Sequence, residues 1–238
     1  MGATDRFLTP LYTVAEAARY LGVPESTFHS WAMGYSRKPA GRPEVSGSPL
    51  VTVVEGQPRG SALLPFVGLA EGLVLTGIRR SGVAMQRIRP ALDLLKKELG
   101  LNHVLASKSL YADGSEILYD YAEQTGDTEE AHAARELVVV LHGQRVFNDV
   151  LRRYLQRVEF ASDGYAQLIP LPGFGDAEVV ADPRRGFGQP TFERGGARVE
   201  DVLGLFFAGE KLTDVAAEYG VPMSELEDAL RVAARRAA

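Results

Sequence analysis

The sequence predicts an α+β protein: an N-terminal winged helix-turn-helix, central helices with a small sheet, and a C-terminal helix-turn-helix-like module of three helices. Three observations carry this. A capping box and a glycine stop bracket two short helices between Tyr12 and Trp31. A β-branched run, Leu50 to Val54, follows them with a Gly/Pro turn behind it, as a wing would. The pattern from Ala17 to Pro24 then returns from Ala216 to Pro222 with one residue deleted. The expected boundaries are 1–100 for the winged helix-turn-helix with its following helices, 101–177 for a strand-rich linking region and 178–238 for the C-terminal module.

The elements are justified in order. Thr13-x-x-Glu16 satisfies the free amides of a starting helix, Val14, Ala17, Ala18 and Leu21 share its apolar face, and Gly22 ends it. Pro24 is suited to the first position of the next helix, whose Phe28 and Trp31 close the core at a spacing of three. The stretch from Gly34 to Ser48 reads as a basic loop. Leu50–Val54 reads as one wing strand, 55–60 as the turn and Ala62–Leu64 as the return. Helices are expected from Pro65 to Gly77 and from Val83 to Leu99, the second with Ile88, Leu92, Leu95 and Leu99 on one face and Pro90 as a kink or restart. From 101 to 161 the pattern is of short strands and turns: His103–Ala106, Ser109–Tyr111, Ile117–Tyr121 and Glu136–His142, with an acidic loop at 123–130 and a helix at Val146–Tyr154. After an irregular loop from Glu178 to Pro190, three helices fit: Val199–Ala208, Leu212–Tyr219 and Ser224–Arg236, the last opened by a second capping box, Ser224-x-x-Glu227.

Composition sets the function classes. With 238 residues, 45% apolar and 24% charged, the chain has ordinary globular statistics. It has no cysteine, which removes disulfides, thiolate zinc sites, iron–sulfur clusters and thiol nucleophiles, and suits a cytoplasmic protein. The most apolar run, 62–78, is broken by Pro65 and Glu71 and is shorter than the roughly 20 residues of a membrane span; the first ten residues carry no signal-peptide core. The net charge of −5 is unevenly placed: residues 1–100 hold 12 Lys and Arg against 8 Asp and Glu, net +4, and the remainder 14 against 23, net −9. The first part is suited to a polyanion and the rest is not.

Catalytic chemistry is poorly served. His29, His103, His132 and His142 have no metal-ligand spacing. Gly173-Phe174-Gly175 and Gly186-Phe187-Gly188 lack the remaining residues of a phosphate-binding loop. Asp113, Glu116, Asp120 and Glu123 follow a hairpin spacing and read as a solvated face. No enzyme activity, metal or cofactor is expected. The helix after the first turn is different: Ser26, Thr27, His29 and Ser30 are short hydrogen-bonding side chains suited to base edges, with Arg37, Lys38, Arg42 and Arg59 as phosphate-binding cations. Arg79, Arg80, Arg87 and Arg89 either extend that surface or pair with carboxylates. The helix after the second turn offers Glu225, Glu227 and Asp228, which would repel phosphates. A homodimer is expected, because one recognition helix reads only a few base pairs. Leu92, Leu95 and Leu99, or Val202, Leu205 and Phe206, are candidate pairing faces, with an intramolecular core as the alternative for either.

The segment Tyr12–Leu64, with Tyr-Thr-Val-x-Glu-Ala-Ala-x-Tyr-Leu-x-Val-x-x-Ser-Thr-x-x-x-Trp at residues 12–31, resembles the winged helix-turn-helix of MerR-type and excisionase-type DNA-binding proteins. The segment Val180–Ala234 resembles a small bacterial family of unknown function found in antitoxins, through Asp182-Pro183-Arg184, Phe187-Gly188-Gln189-Pro190, Arg198-Val199, Leu203, Gly209-Glu210, Ala216, Glu218-Tyr219-Gly220-Val221 and Ala229. Together with Ile88-Arg89-Pro90-Ala91 and His103-Val104-Leu105-Ala106-Ser107, the combination is similar to VapB-type antitoxins of actinobacterial toxin–antitoxin pairs. That resemblance implies a repressor that binds operator DNA and neutralises a PIN-domain ribonuclease toxin. It also implies an arginine delivered into the toxin's carboxylate cluster, for which Arg235 and Arg236 are the candidates. Many such antitoxins are short chains with a disordered toxin-wrapping tail, whereas this pattern is of a chain folded nearly throughout. A MerR-like regulator answering to a small ligand in the central region is the alternative function.

Overall fold

The computed structural model describes residues 5–38, 44–80, 85–112 and 155–237, with eight further positions between 122 and 135. α1 (Val14–Leu21) begins at the expected box: Glu16 N–H donates to Thr13 Oγ1 at 3.1 Å, and Thr13 N–H to the Glu16 carboxylate at 2.8 Å. Gly22, at φ 65°, takes the left-handed turn that ends it, a conformation closed to most side chains. Val23 N–H returns to the Ala18 carbonyl at 2.9 Å, and α2 (Glu25–Met33) buries Phe28, Trp31 and Ala32. The echo at the other end of the chain is structural as well: Gly220 has φ 63°, and Val221 N–H reaches the Ala216 carbonyl at 3.1 Å.

The wing lies earlier than the sequence indicates. β1 (Tyr35–Arg37) and β2 (Val45–Gly47) form an antiparallel hairpin with Tyr35 opposite Gly47, inside the stretch expected to be a basic loop. Leu50–Val54 is not a strand. Leu50 N–H goes to the Trp31 carbonyl at 2.7 Å and Thr52 N–H to the Glu71 carboxylate at 2.6 Å. These amides serve the end of α2 and a buried acid instead of a neighbouring strand. Leu64 does pair, across an isolated bridge, with Tyr12.

α3 (Phe66–Arg80) is buried around its whole circumference from Phe66 to Ile78, so the apolar run is the central pillar of the core. Two glycines let its neighbours approach: a Cβ at Gly68 would lie 2.3 Å from the Thr52 carbonyl oxygen, and one at Gly72 2.6 Å from the Phe28 ring. No helix among the described residues is long and apolar enough to cross a membrane. α4 (Met85–Leu99) runs unbroken through Pro90. Leu92 and Leu95 are buried in the core, as is Val202, whereas Leu99, Leu205 and Phe206 are half-buried.

The stretches expected as strands at 103–106 and 109–111 are helical instead: a 3₁₀ turn at Val104–Ala106 leads, through Ser107, which bridges to Tyr165, into α5 (Lys108–Ala112). The strands expected at Ile117–Tyr121 and Glu136–His142 and the helix at Val146–Tyr154 lie outside the described residues. The small sheet comes later. β3 (Glu159–Phe160), β4 (Ala166–Pro170), β5 (Val179–Ala181) and β6 (Thr191–Phe192) form an antiparallel meander in sequence order. Part of the expected irregular loop is therefore strand. α6 (Val199–Phe207), α7 (Leu212–Tyr219) and α8 (Met223–Ala237) complete the chain. α8 is already helical at Ser224, with the Pro222 carbonyl accepting from Glu225 N–H at 3.0 Å.

The N-terminal and C-terminal thirds touch. Arg6 donates to the carbonyls of Tyr165 and Ala166 at 3.2 and 2.9 Å, and Phe7 lies 5.2 Å from the His103 ring and 5.3 Å from that of Tyr165. Tyr20 stacks on Phe174 with centroids 5.9 Å apart.

Candidate nucleic-acid interface

Burying Phe28, Trp31 and Ala32 turns the opposite side of α2 outward. Ser26 and His29 are exposed on that side, and Thr27 and Ser30 are half-buried. Two of the four hydroxyl and imidazole groups are already engaged. Ser30 Oγ donates to the Ser26 carbonyl at 2.9 Å, and Thr27 Oγ1 accepts from Arg79 at 3.1 Å. Ser26 and His29 are thus the pair left facing solvent.

The cations surround this helix unevenly. Arg37 and Lys38 are exposed at the end of β1, beside Glu44, which accepts from Ser36. Arg42 lies outside the described residues. Arg59 is exposed on the separate turn at 55–60, whose base is closed by Val54 N–H to the Leu63 carbonyl at 2.8 Å. That turn is not the hairpin that follows α2.

Arginines with two open roles in the sequence are placed by the fold. Arg79 and Arg80, in the last turn of α3, are exposed and reach the helix pair: Arg79 to Thr27, and Arg80 to the Gly22 carbonyl at 3.1 Å. Arg89 lies over the Tyr35 ring at 5.5 Å and donates to the Ser48 carbonyl, bracing the wing. Spacing in the sequence does not show where these cations point; that Arg79 and Arg80 return onto the helix pair is set by the packing of α3, and that Arg89 meets β1 by the placement of α4.

At the opposite end, Glu225 is buried and accepts from the Glu178 N–H at 3.2 Å, contrary to the expectation that it faces outward. Burial pushes its carboxyl above the usual range. Arg231 is held by Glu227 at 3.2 Å and by Asp228. Arg235 and Arg236 follow in the last turn of α8; their side chains lie outside the described residues. His103 is not a ligand candidate but part of a polar knot, with Nδ1 2.9 Å from Thr52 Oγ1 and 3.3 Å from Glu71. Among the described residues no cluster of three His, Asp or Glu side chains could hold a metal.

Comparison with known proteins matches these two ends. Residues 10–92 match a family described as "Putative DNA-binding HTH domain", and residues 179–233 match a "Protein of unknown function" family. Over 226 residues, 94% of each chain, the sequence is 50% identical to a Mycobacterium tuberculosis protein described as "Putative antitoxin VapB45". The chain belongs to the VapB45 antitoxin family. A second relative from that organism, the uncharacterized protein Rv2308, is 28% identical over 97% of this chain and 92% of its own. The crystal structure of Rv2018 from the same organism superposes with a TM-score of 0.76 at 48% identity, covering 94% of this chain and 99% of that one. The likeness to the VapB45 family thus spans the helix-turn-helix, the central pillar and the C-terminal module together.

Proposed function

We propose that this protein is the DNA-binding antitoxin of a toxin–antitoxin pair, acting in the cytoplasm as a homodimer that represses its own operon and neutralises a PIN-domain ribonuclease. The observation that supports it best is the outer face of α2. Ser26 and His29 are presented to solvent there, with Arg79 bonded across to Thr27 and the Arg37–Lys38 end of the wing beside it. Base-reading groups between phosphate-binding cations is the layout that groove recognition requires. Two such helices on a two-fold axis would read the two halves of a palindrome.

For the toxin, Arg235 and Arg236 remain the proposed contact, because a guanidinium pairs with carboxylates in a two-pronged fork and competes with a metal held there. A gel shift with the protein's own upstream DNA, beside growth rescue on co-expression with the adjacent gene as candidate toxin, tests both halves. Removing 233–238 is expected to spare the DNA shift and abolish rescue. Rescue by the truncated chain would place inhibition elsewhere.

The alternative, a regulator answering to a small ligand, is favoured by one feature: a groove of about 400 Å³ between α1 and α6, lined by Tyr20, Phe174, Leu203 and Phe207. A DNA affinity that changes with a small molecule and not with the toxin would favour that reading.

A further inference from the structure

Among the described residues, Phe187 is the one non-glycine residue with positive φ, at φ 55° and ψ 33°. A left-handed backbone crowds the Cβ of an L-residue and is disfavoured for a bulky side chain. Burial of the ring does not offset this, because Phe187 is 59% exposed. A strained residue persists only where its surroundings over-determine it, and such residues gather at functional sites.

The surroundings here do over-determine it. Asp182, 1% exposed, accepts from the Arg184 backbone N–H at 2.9 Å and from its guanidinium at 2.8 to 3.2 Å, fixing the start of the loop. The turn itself is closed by Gly188 N–H to the Arg185 carbonyl and Gln189 N–H to the Gly186 carbonyl, both at 3.0 Å. At the far side the buried Tyr12 hydroxyl donates to the Gly188 carbonyl at 2.6 Å. Gly186 and Gly188 leave no slack: a Cβ on the first would meet Arg198 and Thr191 at 3.3 Å, and on the second the Tyr12 oxygen at 2.7 Å. The loop is a rigid base that carries one aromatic ring outward.

We propose that this loop is a preformed knob that enters an apolar pocket rimmed by carboxylates on a partner protein, and, resting on the function proposed above, that the partner is the ribonuclease toxin. The charge beside the ring chooses the chemistry. Arg185, two residues before Phe187, has a 60% exposed side chain with its Nε 3.8 Å from Asp182, so the same loop carries an exposed guanidinium. An aromatic with an adjacent arginine is the composition that dominates binding energy at protein interfaces. Nucleic acid is the poorer occupant, because residues 101–238 carry a net −9, from 14 basic against 23 acidic residues, and would repel a phosphate backbone. The knob also continues into a larger surface: Gln189 and Pro190, the next two residues, line the groove that holds the exposed Phe207. The rigid, already ordered loop gives up little conformational freedom on binding.

Two variants of the full-length protein test this. Phe187→Asn removes the ring and puts in a residue that tolerates the left-handed backbone, and Arg185→Glu reverses the neighbouring charge. The probe is the purified product of the adjacent gene, the candidate ribonuclease toxin, with affinity read by biolayer interferometry. Each variant is expected to weaken binding by tenfold or more, while the gel shift on upstream DNA is unchanged and Phe187→Asn melts at the same or a higher temperature than the parent. Parent-like affinity in Phe187→Asn overturns the knob and leaves the proposed function standing. Failure of the parent chain itself to bind the ribonuclease overturns the toxin half of that function and the knob with it. Loss of dimer in light scattering with toxin affinity retained assigns the loop to a second copy of this chain and equally overturns the proposal.

Discussion

The Tyr12 hydroxyl donates to the Gly188 carbonyl at 2.6 Å, joining positions 176 residues apart. Tyr12 immediately precedes the N-cap of α1, and its N–H also bonds the Leu64 carbonyl at 3.1 Å. One buried phenol therefore ties the start of the helix-turn-helix to the exposed loop of the C-terminal module. Tyr12→Phe removes the donor and leaves a buried carbonyl unpaired, a change expected to cost about 1–2 kcal/mol. Urea titration measures it, and an unmoved midpoint would show that the bond contributes nothing net. Burial also raises the Tyr12 pKa well above the usual 10.0. Above that pH the unfolded chain gives up this proton while the folded protein keeps it, so the stability the group contributes is lost as pH rises. Phe at position 12 should blunt that alkaline loss.

Glu71 holds the segment behind α2. Its carboxylate, 3% exposed, accepts from Thr52 N–H at 2.6 Å and lies 3.3 Å from His103 Nδ1. Glu71→Ala strands that amide and opens a void, and is expected to cost about 2–3 kcal/mol, while Glu71→Gln, which keeps an acceptor, should cost less. Thermal melts of the two variants decide. Equal losses would mean that shape and not the acceptor matters.

The features legible in the sequence are those fixed within a few residues. The Thr13–Glu16 box, the Gly22 and Gly220 stops and the spans of α6 and α7 are local, and each lies where the pattern puts it. The wing lies elsewhere because Leu50–Val54 has the composition of a strand, while the destination of its amides, Trp31 and Glu71, is invisible to a local pattern. The stretch 103–111 illustrates a second ambiguity: a short apolar run fits strand or helix equally, and packing of the Val104–Ala106 turn onto α3 settles it as helical. β5 is hidden in a segment dominated by Gly, Pro and Arg, and has only three residues. The outward position of Ser26 and His29 on α2 is legible, because it follows from the spacing of Phe28 and Trp31. The Arg79 bridge to Thr27 spans 52 positions and depends on the course of α3.

Glu225 supplies a test on the acid side. Burial is the larger cause of its raised pKa, partly offset by the bond from Glu178 N–H, against an ordinary value of 4.5. The folded protein then holds this proton more tightly than the unfolded chain. Its contribution favours folding at low pH and is lost as pH climbs through the raised value. Glu225→Gln, uncharged throughout, should melt at least as high as the parent at pH 7 and show a weaker fall in stability over the range above pH 4.5. A lower melting temperature at pH 7 would instead assign the stabilising role to the Arg194 pair, whose Nε lies 3.8 Å away.

The proposed DNA surface divides into positioning and reading residues, and the two should fail differently. Arg37→Ala with Lys38→Ala removes two exposed cations from the wing. Binding should weaken about equally on all sequences, and the slope of log affinity against log salt should flatten by roughly one to two counterions. Arg79→Ala is distinct, because that guanidinium both faces solvent and bonds Thr27 on the reading helix. It should lower affinity and also relax discrimination, since Thr27 and its helical turn lose their brace. Ser26→Ala and His29→Ala should leave the salt slope intact and narrow the gap between specific and nonspecific binding, by about 1–3 kcal/mol for each side chain that reads a base. Gel shifts over a salt series, on operator and on scrambled DNA, measure all four. Should Arg79→Ala change affinity alone, the arginine is a phosphate contact only; should Ser26→Ala and His29→Ala lower both kinds of binding together, α2 does not read bases.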